Sequence, residues 1–116
     1  MSQNYIVYHN PRCSKSRMAI DYLTKASKSF AVVEYLKEVP TKAELMAVLK
    51  KLNVSAESIL RKGEPDFKNN FKGQKMSELQ WIEAMIKFPK LIERPIVIKG
   101  DKAVVARPTE LIDQLD

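Results

Sequence analysis

The chain's only cysteine and only histidine stand four residues apart in Tyr8-His9-Asn10-Pro11-Arg12-Cys13-Ser14-Lys15-Ser16-Arg17. A cysteine does nucleophilic chemistry as its thiolate, so what matters is what lowers its pKa. A short apolar run, Tyr5-Ile6-Val7-Tyr8, precedes the stretch, Pro11 punctuates it, and a helical pattern follows. That order puts Cys13 at the start of a helix, where backbone N–H groups and the helix dipole favour an anion. His9, Arg12, Lys15 and Arg17 add cations around it. The competing reading, an inert buried thiol acting as a small hydrophobe, fits poorly with these polar neighbours. His9 has two roles open to it: a cation that lowers the thiol pKa, or a hydrogen-bond partner of the loop backbone. Ser14 and Ser16 can cap the helix or donate to a bound anion. A phosphotyrosine-phosphatase type of loop is excluded. It spaces Cys and Arg by five residues, whereas three residues separate Cys13 from Arg17 here.

Three arginines can complete an anion site. Arg94-Pro95 stands before the apolar run Ile96-Val97-Ile98, and Arg107-Pro108 ends the following segment. If those segments form an antiparallel hairpin, its two open ends meet and Arg94 lies beside Arg107. Arg61, at the end of a short helix, is the third candidate. Guanidinium forks match tetrahedral oxyanions well. The alternative is that each arginine pairs with a nearby acid such as Glu93, Asp101 or Glu110. Pro95 also allows a cis peptide bond, although trans is the default for a proline.

The elements that must position these residues follow from periodicity and punctuation. Residues 4–8 and 30–34 read as strands and 14–26 as a helix, with Met18, Ala19, Tyr22, Leu23 and Ala26 on its inner face. Together they make a βαβ unit with parallel strands and a right-handed crossover. After Pro40, Thr41 and Glu44 form a capping box for a helix to about Leu52, with Leu45, Val48, Leu49 and Leu52 inward. Ser55 caps a short helix through Leu60. Residues 62–76 read as a loop or irregular helix. Ser77 and Gln80 form a second capping box for a helix over 78–88, whose inner stripe is Leu79, Ile82, Met85 and Ile86; Trp81 and Phe88 read as packing residues. Residues 96–98 and 102–106 are strands joined at Gly100-Asp101, which suits a type II′ turn. Pro108 opens a last helix, Thr109 to Leu115. The expected fold is therefore α/β and thioredoxin-like. It has a four-stranded mixed sheet flanked by helices and an all-helical insertion at about 41–92, between strands 2 and 3, within one domain over 1–116.

Composition narrows the function. Twenty Lys and Arg against fourteen Asp and Glu give a charge of +6, but the lysines are scattered, which reads as a solvated surface rather than a face for nucleic acid or membrane. There is no Walker-type or GxGxxG loop, no zinc-type Cys/His spacing, no spanning segment and no secretory signal. A cytoplasmic protein without a tightly bound cofactor or metal is expected. One cysteine allows no internal disulfide, so redox chemistry at Cys13 needs a second thiol from outside.

His9-Asn10-Pro11-x-Cys13-x-x-Ser16-Arg17, Leu60-Arg61-Lys62, Arg94-Pro95-Ile96-Val97 and Arg107-Pro108 together resemble the glutaredoxin-coupled arsenate reductase family along the whole chain. The resemblance implies that Cys13 attacks arsenate and that Arg61, Arg94 and Arg107 hold the oxyanion, with Ser16 and Arg17 beside it. It implies that His9 helps keep the thiol deprotonated, that glutathione is the co-substrate, and that glutaredoxin clears the resulting mixed disulfide. Two other readings are carried. One is a glutathione-linked thiol oxidoreductase acting on a different substrate. The other is a module binding the transcription machinery, like the Spx-type regulators of the same superfamily; those carry a Cys-x-x-Cys switch, and Ser16 occupies its second position here.

Overall fold

In a computed structural model of the protein, residues 4–115 are described. They fall into two compact units, residues 39–93 forming one and the flanking segments the other.

The unit built from the flanking segments carries a four-stranded sheet. Its strands are β1 (Tyr5–Tyr8), β2 (Phe30–Val33), β3 (Ile96–Lys99) and β4 (Lys102–Val105), in the order β2-β1-β3-β4. β2 runs parallel to β1, because helix α1 (Ser14–Lys25) returns the chain to the same end of the sheet. β3 runs antiparallel to both β1 and β4. This is the thioredoxin-like sheet expected from the element order. Gly100, at φ 62°, supplies the positive dihedral that the β3–β4 turn requires. Tyr5 and Val7 of β1 point into one core with Val97 and Ala106, closed by Ala19 and Leu23 of α1 and by Ile112 and Leu115. The last segment, Thr109–Leu115, is a 3-10 helix rather than an α-helix.

Helix α1 buries Ala19 and Leu23 as expected, and Tyr22 packs partly buried against the same core. Ser16 joins that face, while Met18 is 47% exposed and Ala26 is exposed beyond the helix end. The inward face thus begins at Ser16, one turn from the thiol, which turns a serine hydroxyl into the protein. The peptide bonds before Pro95 and Pro108 are both cis, so the trans default holds at neither.

The other unit is helical: α2 (Lys42–Leu52), α3 (Pro65–Asn70) and α4 (Glu78–Lys87), with 3-10 turns at Ala56–Ile59 and Pro89–Leu91. Both capping boxes form, Thr41 with Glu44 and Ser77 with Gln80. Leu45, Val48 and Leu49 are buried on α2. On α4 the buried residues are Trp81, Ile82, Ala84 and Met85, and Leu79 is 45% exposed. The expected stripe on that helix is rotated because Trp81 turns inward. It stacks on Phe67 at 6.1 Å and meets Phe71 edge-on at 6.0 Å, and Phe71 in turn meets Phe88 at 5.7 Å. The polar stretch 62–76 thus contains a short helix, begun by Pro65, that brings two phenylalanines to the tryptophan. Ser55 makes no side-chain cap. The first N–H of that turn, from Ala56, goes instead to the carboxylate of Glu78 at 2.9 and 3.0 Å. Among the described residues no helix is long and apolar enough to cross a membrane.

Candidate active site

Cys13 is the N-cap of α1, in extended conformation at φ −96° and ψ 123°. The loop before it is tied by its own backbone. The Cys13 N–H donates to the Asn10 carbonyl at 3.0 Å, and the Arg12 N–H donates to Asn10 Oδ1 at 3.0 Å. Asn10 is thereby an Asx-type turn residue, nearly fully buried, that shapes the approach to the thiol. The Arg17 guanidinium closes the same loop by donating to the Pro11 carbonyl at 2.8 Å.

Burial alone would push the Cys13 pKa up. The Ser16 backbone N–H, the Arg94 guanidinium and the Lys15 backbone N–H outweigh it, and the thiol sits below its ordinary value of 9.0. The N-terminal turn contains no acidic residue to offset this. Lys15 acts here through its peptide N–H. The same holds for Ser16, whose hydroxyl faces inward while its N–H faces the sulfur.

The hairpin places two arginines at the thiol. Arg107 Nε donates to the Arg94 carbonyl at 2.7 Å, and Arg107 Nη2 lies 3.7 Å from Cys13 Sγ. The Arg94 guanidinium donates to Cys13 as well. Burial would lower the Arg94 pKa, but the Cys13 thiolate and Tyr35 raise it, so Arg94 is firmly cationic. Two guanidiniums from the two open ends of one hairpin therefore converge on one sulfur. Such donors stabilise a thiolate and suit the oxygens of a tetrahedral anion.

His9 is joined to the site through Ser16. Its Nδ1 lies 2.6 Å from Ser16 Oγ, and the Asn10 N–H donates to the same oxygen at 3.0 Å. Ser16 is fully buried. The Ser16 oxygen accepts from Asn10 and has a second lone pair and a proton with which to meet His9 Nδ1, so which of the two donates follows the imidazole tautomer. Burial lowers the His9 pKa; Glu34 opposes this and Arg17 adds to it, with a net shift downward. His9 is thus tied to the helix start through the Ser16 hydroxyl, with its pKa held down mainly by burial.

Arg61 belongs to the helical unit. Its Nη1 donates to Glu93 at 2.8 Å, and its Nε lies 3.5 Å from Glu64. It is rooted there by its own N–H on the Leu91 carbonyl at 2.7 Å and by the bridge between Leu60 and Ile92. The carboxylate pairing considered for each arginine is thus realised at Arg61. Sequence reasoning missed the role of Asn10, whose place before a proline is a turn signal. Among the described residues no group of three or more His, Cys, Asp or Glu could hold a metal ion.

Known proteins resemble this chain along nearly its whole length. The model of the ArsC family matches residues 8–115. The chain is 40% identical over 114 residues to the uncharacterized protein YfgD of Escherichia coli K12, covering 97% of this chain and 96% of that one. It is 35% identical over 109 residues to an arsenate reductase of Haemophilus influenzae, covering 92% and 94%. An arsenate reductase structure from Vibrio cholerae superposes with a TM-score of 0.94 at 31% identity, covering 100% of both chains. With nearly its whole length matched, the chain belongs to the ArsC family.

Proposed function

We propose that the protein is an arsenate reductase in which Cys13 is the nucleophile and glutathione supplies the second thiol. The observation that carries this reading is the convergence of Arg94 and Arg107 on Cys13 Sγ at a helix N-terminus. The relatives named arsenate reductase supply the substrate.

The Cys13 thiolate attacks arsenic, a sulfur–arsenic bond forms, and one arsenate oxygen leaves as water after taking up protons. Arg94 and Arg107 hold the remaining oxygens and carry the negative charge that builds on them. Arg61, in the helical unit, has its charge matched by Glu93 and Glu64. A glutathione thiolate then attacks the Cys13 sulfur. The sulfur–arsenic bond breaks with its electron pair remaining on arsenic, which falls from the +5 to the +3 state and departs as arsenite. Each sulfur has given up one electron, and the two are joined as a disulfide. A glutaredoxin thiol takes over the glutathione and returns Cys13 to the thiol. With a single cysteine in the chain, no internal thiol can do this.

The test is multiple-turnover release of arsenite with glutathione and glutaredoxin supplied. Turnover should require glutathione and vanish in Cys13→Ser. If the wild-type protein gives no turnover, the arsenate assignment fails. A glutathione adduct on Cys13 without arsenite would then point to a thiol oxidoreductase of another substrate.

A further inference from the structure

We propose that the exposed start of α1 is the docking surface for the protein that clears the Cys13 disulfide, and that this glutaredoxin-type partner meets it with an acidic rim around its own thiol. The inference rests on the reading of Cys13 as the site of a glutathione disulfide given above and adds the surface on which the second protein sits.

Arg12, Ser14, Lys15, Arg17 and Met18 are all exposed and lie within five positions of Cys13. Core packing gives Met18 no role. Ser16, Ala19 and Leu23 carry the inward face of the helix, while Met18 keeps 47% of its surface in solvent. Ser14 and Met18 stand four residues apart and so share one face of the helix. With Arg17 and Asp21 they line a shallow cleft along it. The outward face next to the thiol therefore carries a flexible, polarizable side chain of the kind that adapts to a partner's surface.

The charge around it is one-sided. Among the described residues Arg12, Lys15 and Arg17 pair with no carboxylate. Arg17 is held only by the Pro11 carbonyl, at 2.8 Å. No Asp or Glu precedes Asp21 in the sequence, and Asp21 is itself paired with Lys25 at 3.1 Å. Arg107, after β4, adds a further guanidinium 3.7 Å from the sulfur. Methionine and arginine are both favoured at protein interfaces. A nucleic acid would answer the cations and leave the methionine without a role, whereas an acidic protein surface answers both.

The chemistry requires contact at this place. The chain has one cysteine, so its disulfide is opened from outside. The partner's thiolate attacks the glutathione sulfur and a new sulfur–sulfur bond forms there. The bond to Cys13 breaks with its electron pair on Cys13, which leaves as the thiolate. The attacking sulfur then lies two sulfur–sulfur bonds, about 4 Å, from Cys13. At that range the partner's rim rests on the residues that flank Cys13.

The test starts from the Cys13–glutathione disulfide, made with oxidised glutathione and no arsenate. Its reduction is followed with a glutaredoxin, at low and high salt, and with dithiothreitol as a small thiol. In wild type the glutaredoxin rate constant should fall as salt is added, and the dithiothreitol rate constant should change much less. The double variant Arg12→Gln, Lys15→Gln should lower the glutaredoxin rate constant about tenfold at low salt and flatten its salt dependence. Met18→Gln should lower it about fivefold at every salt concentration. Neither should alter reduction by dithiothreitol. The inference is overturned if the wild-type rate is indifferent to salt, or if either variant matches wild type. It is also overturned if reduction by dithiothreitol slows in step, since those residues would then act on the disulfide and not on the partner. Failure of Cys13 to take up glutathione would remove the glutathione reading itself, and the docking surface with it. Because no arsenate is used, the result does not depend on the arsenate assignment.

Discussion

His9 Nδ1 and Ser16 Oγ lie 2.6 Å apart, and the serine is buried on the inner face of the helix whose first N–H groups face Cys13. The histidine therefore reaches the thiol by way of the helix start. The contact with His9 and the hydrogen bond from the Asn10 N–H both fall on the Ser16 hydroxyl and tie the loop to the first turn.

That relationship separates two accounts of His9. Asn at this position can present an acceptor near the place of Nδ1 but never a positive charge. His9→Asn is expected to leave the pH profile of Cys13 alkylation close to wild type, whereas His9→Ala moves it to higher pH. Ser16→Ala should resemble His9→Ala, and the two together should be less than additive. It should also lower stability by about 1–3 kcal/mol, because a buried Asn10 N–H loses its acceptor. A shift in His9→Asn as large as in His9→Ala would restore the cationic role.

The arginines should rank by how their charge is used. Arg94→Lys keeps charge and loses the planar fork, and is expected to raise KM for arsenate by about tenfold with the fold intact. Arg61→Lys should raise KM less, because Glu93 and Glu64 already hold that side chain. Its cost should appear in thermal stability, on the order of 1 kcal/mol. Steady-state kinetics and melting curves of the two variants check both statements. An Arg61→Lys effect on KM equal to that of Arg94→Lys would place the three arginines on one footing.

Much of this was readable from local sequence because local rules decide it. The strand and helix order, both capping boxes and the Gly100 turn depend on residues within a few positions of one another. The meeting of Arg94 and Arg107 was legible one step further out, since any antiparallel hairpin joins its open ends. What escaped depends on contacts between distant segments. The Ala56 N–H prefers the Glu78 carboxylate over Ser55, and Trp81, read as a packing residue, finds its partners Phe67 and Phe71 in the stretch read as a loop or irregular helix. His9 was visible as a partner of the thiol, but its route through Ser16 depends on the face of α1 that packs inward. That face was misjudged when Met18 was placed on it.

The lowered thiol pKa has a consequence for stability. A folded-state pKa below the unfolded one means that the thiolate's stabilising contribution is complete above the unfolded value and is lost as pH falls through the folded value. The stability of wild type relative to Cys13→Ser should therefore rise with pH through the folded thiol pKa and level off above 9.0. Denaturant titrations of both proteins across that range measure it. A difference that is flat with pH would mean that the fold does not favour the thiolate.

The central claim is that Cys13 passes two electrons to arsenate together with a thiol from outside the chain. Mass spectrometry of a single turnover, with arsenate and glutathione present and glutaredoxin omitted, tests it most directly. The account predicts one glutathione disulfide-bonded to Cys13 for each arsenite released, with neither product formed when arsenate is left out. Glutathionylation of Cys13 at the same rate without arsenate, or arsenite released with Cys13 unmodified, would contradict it.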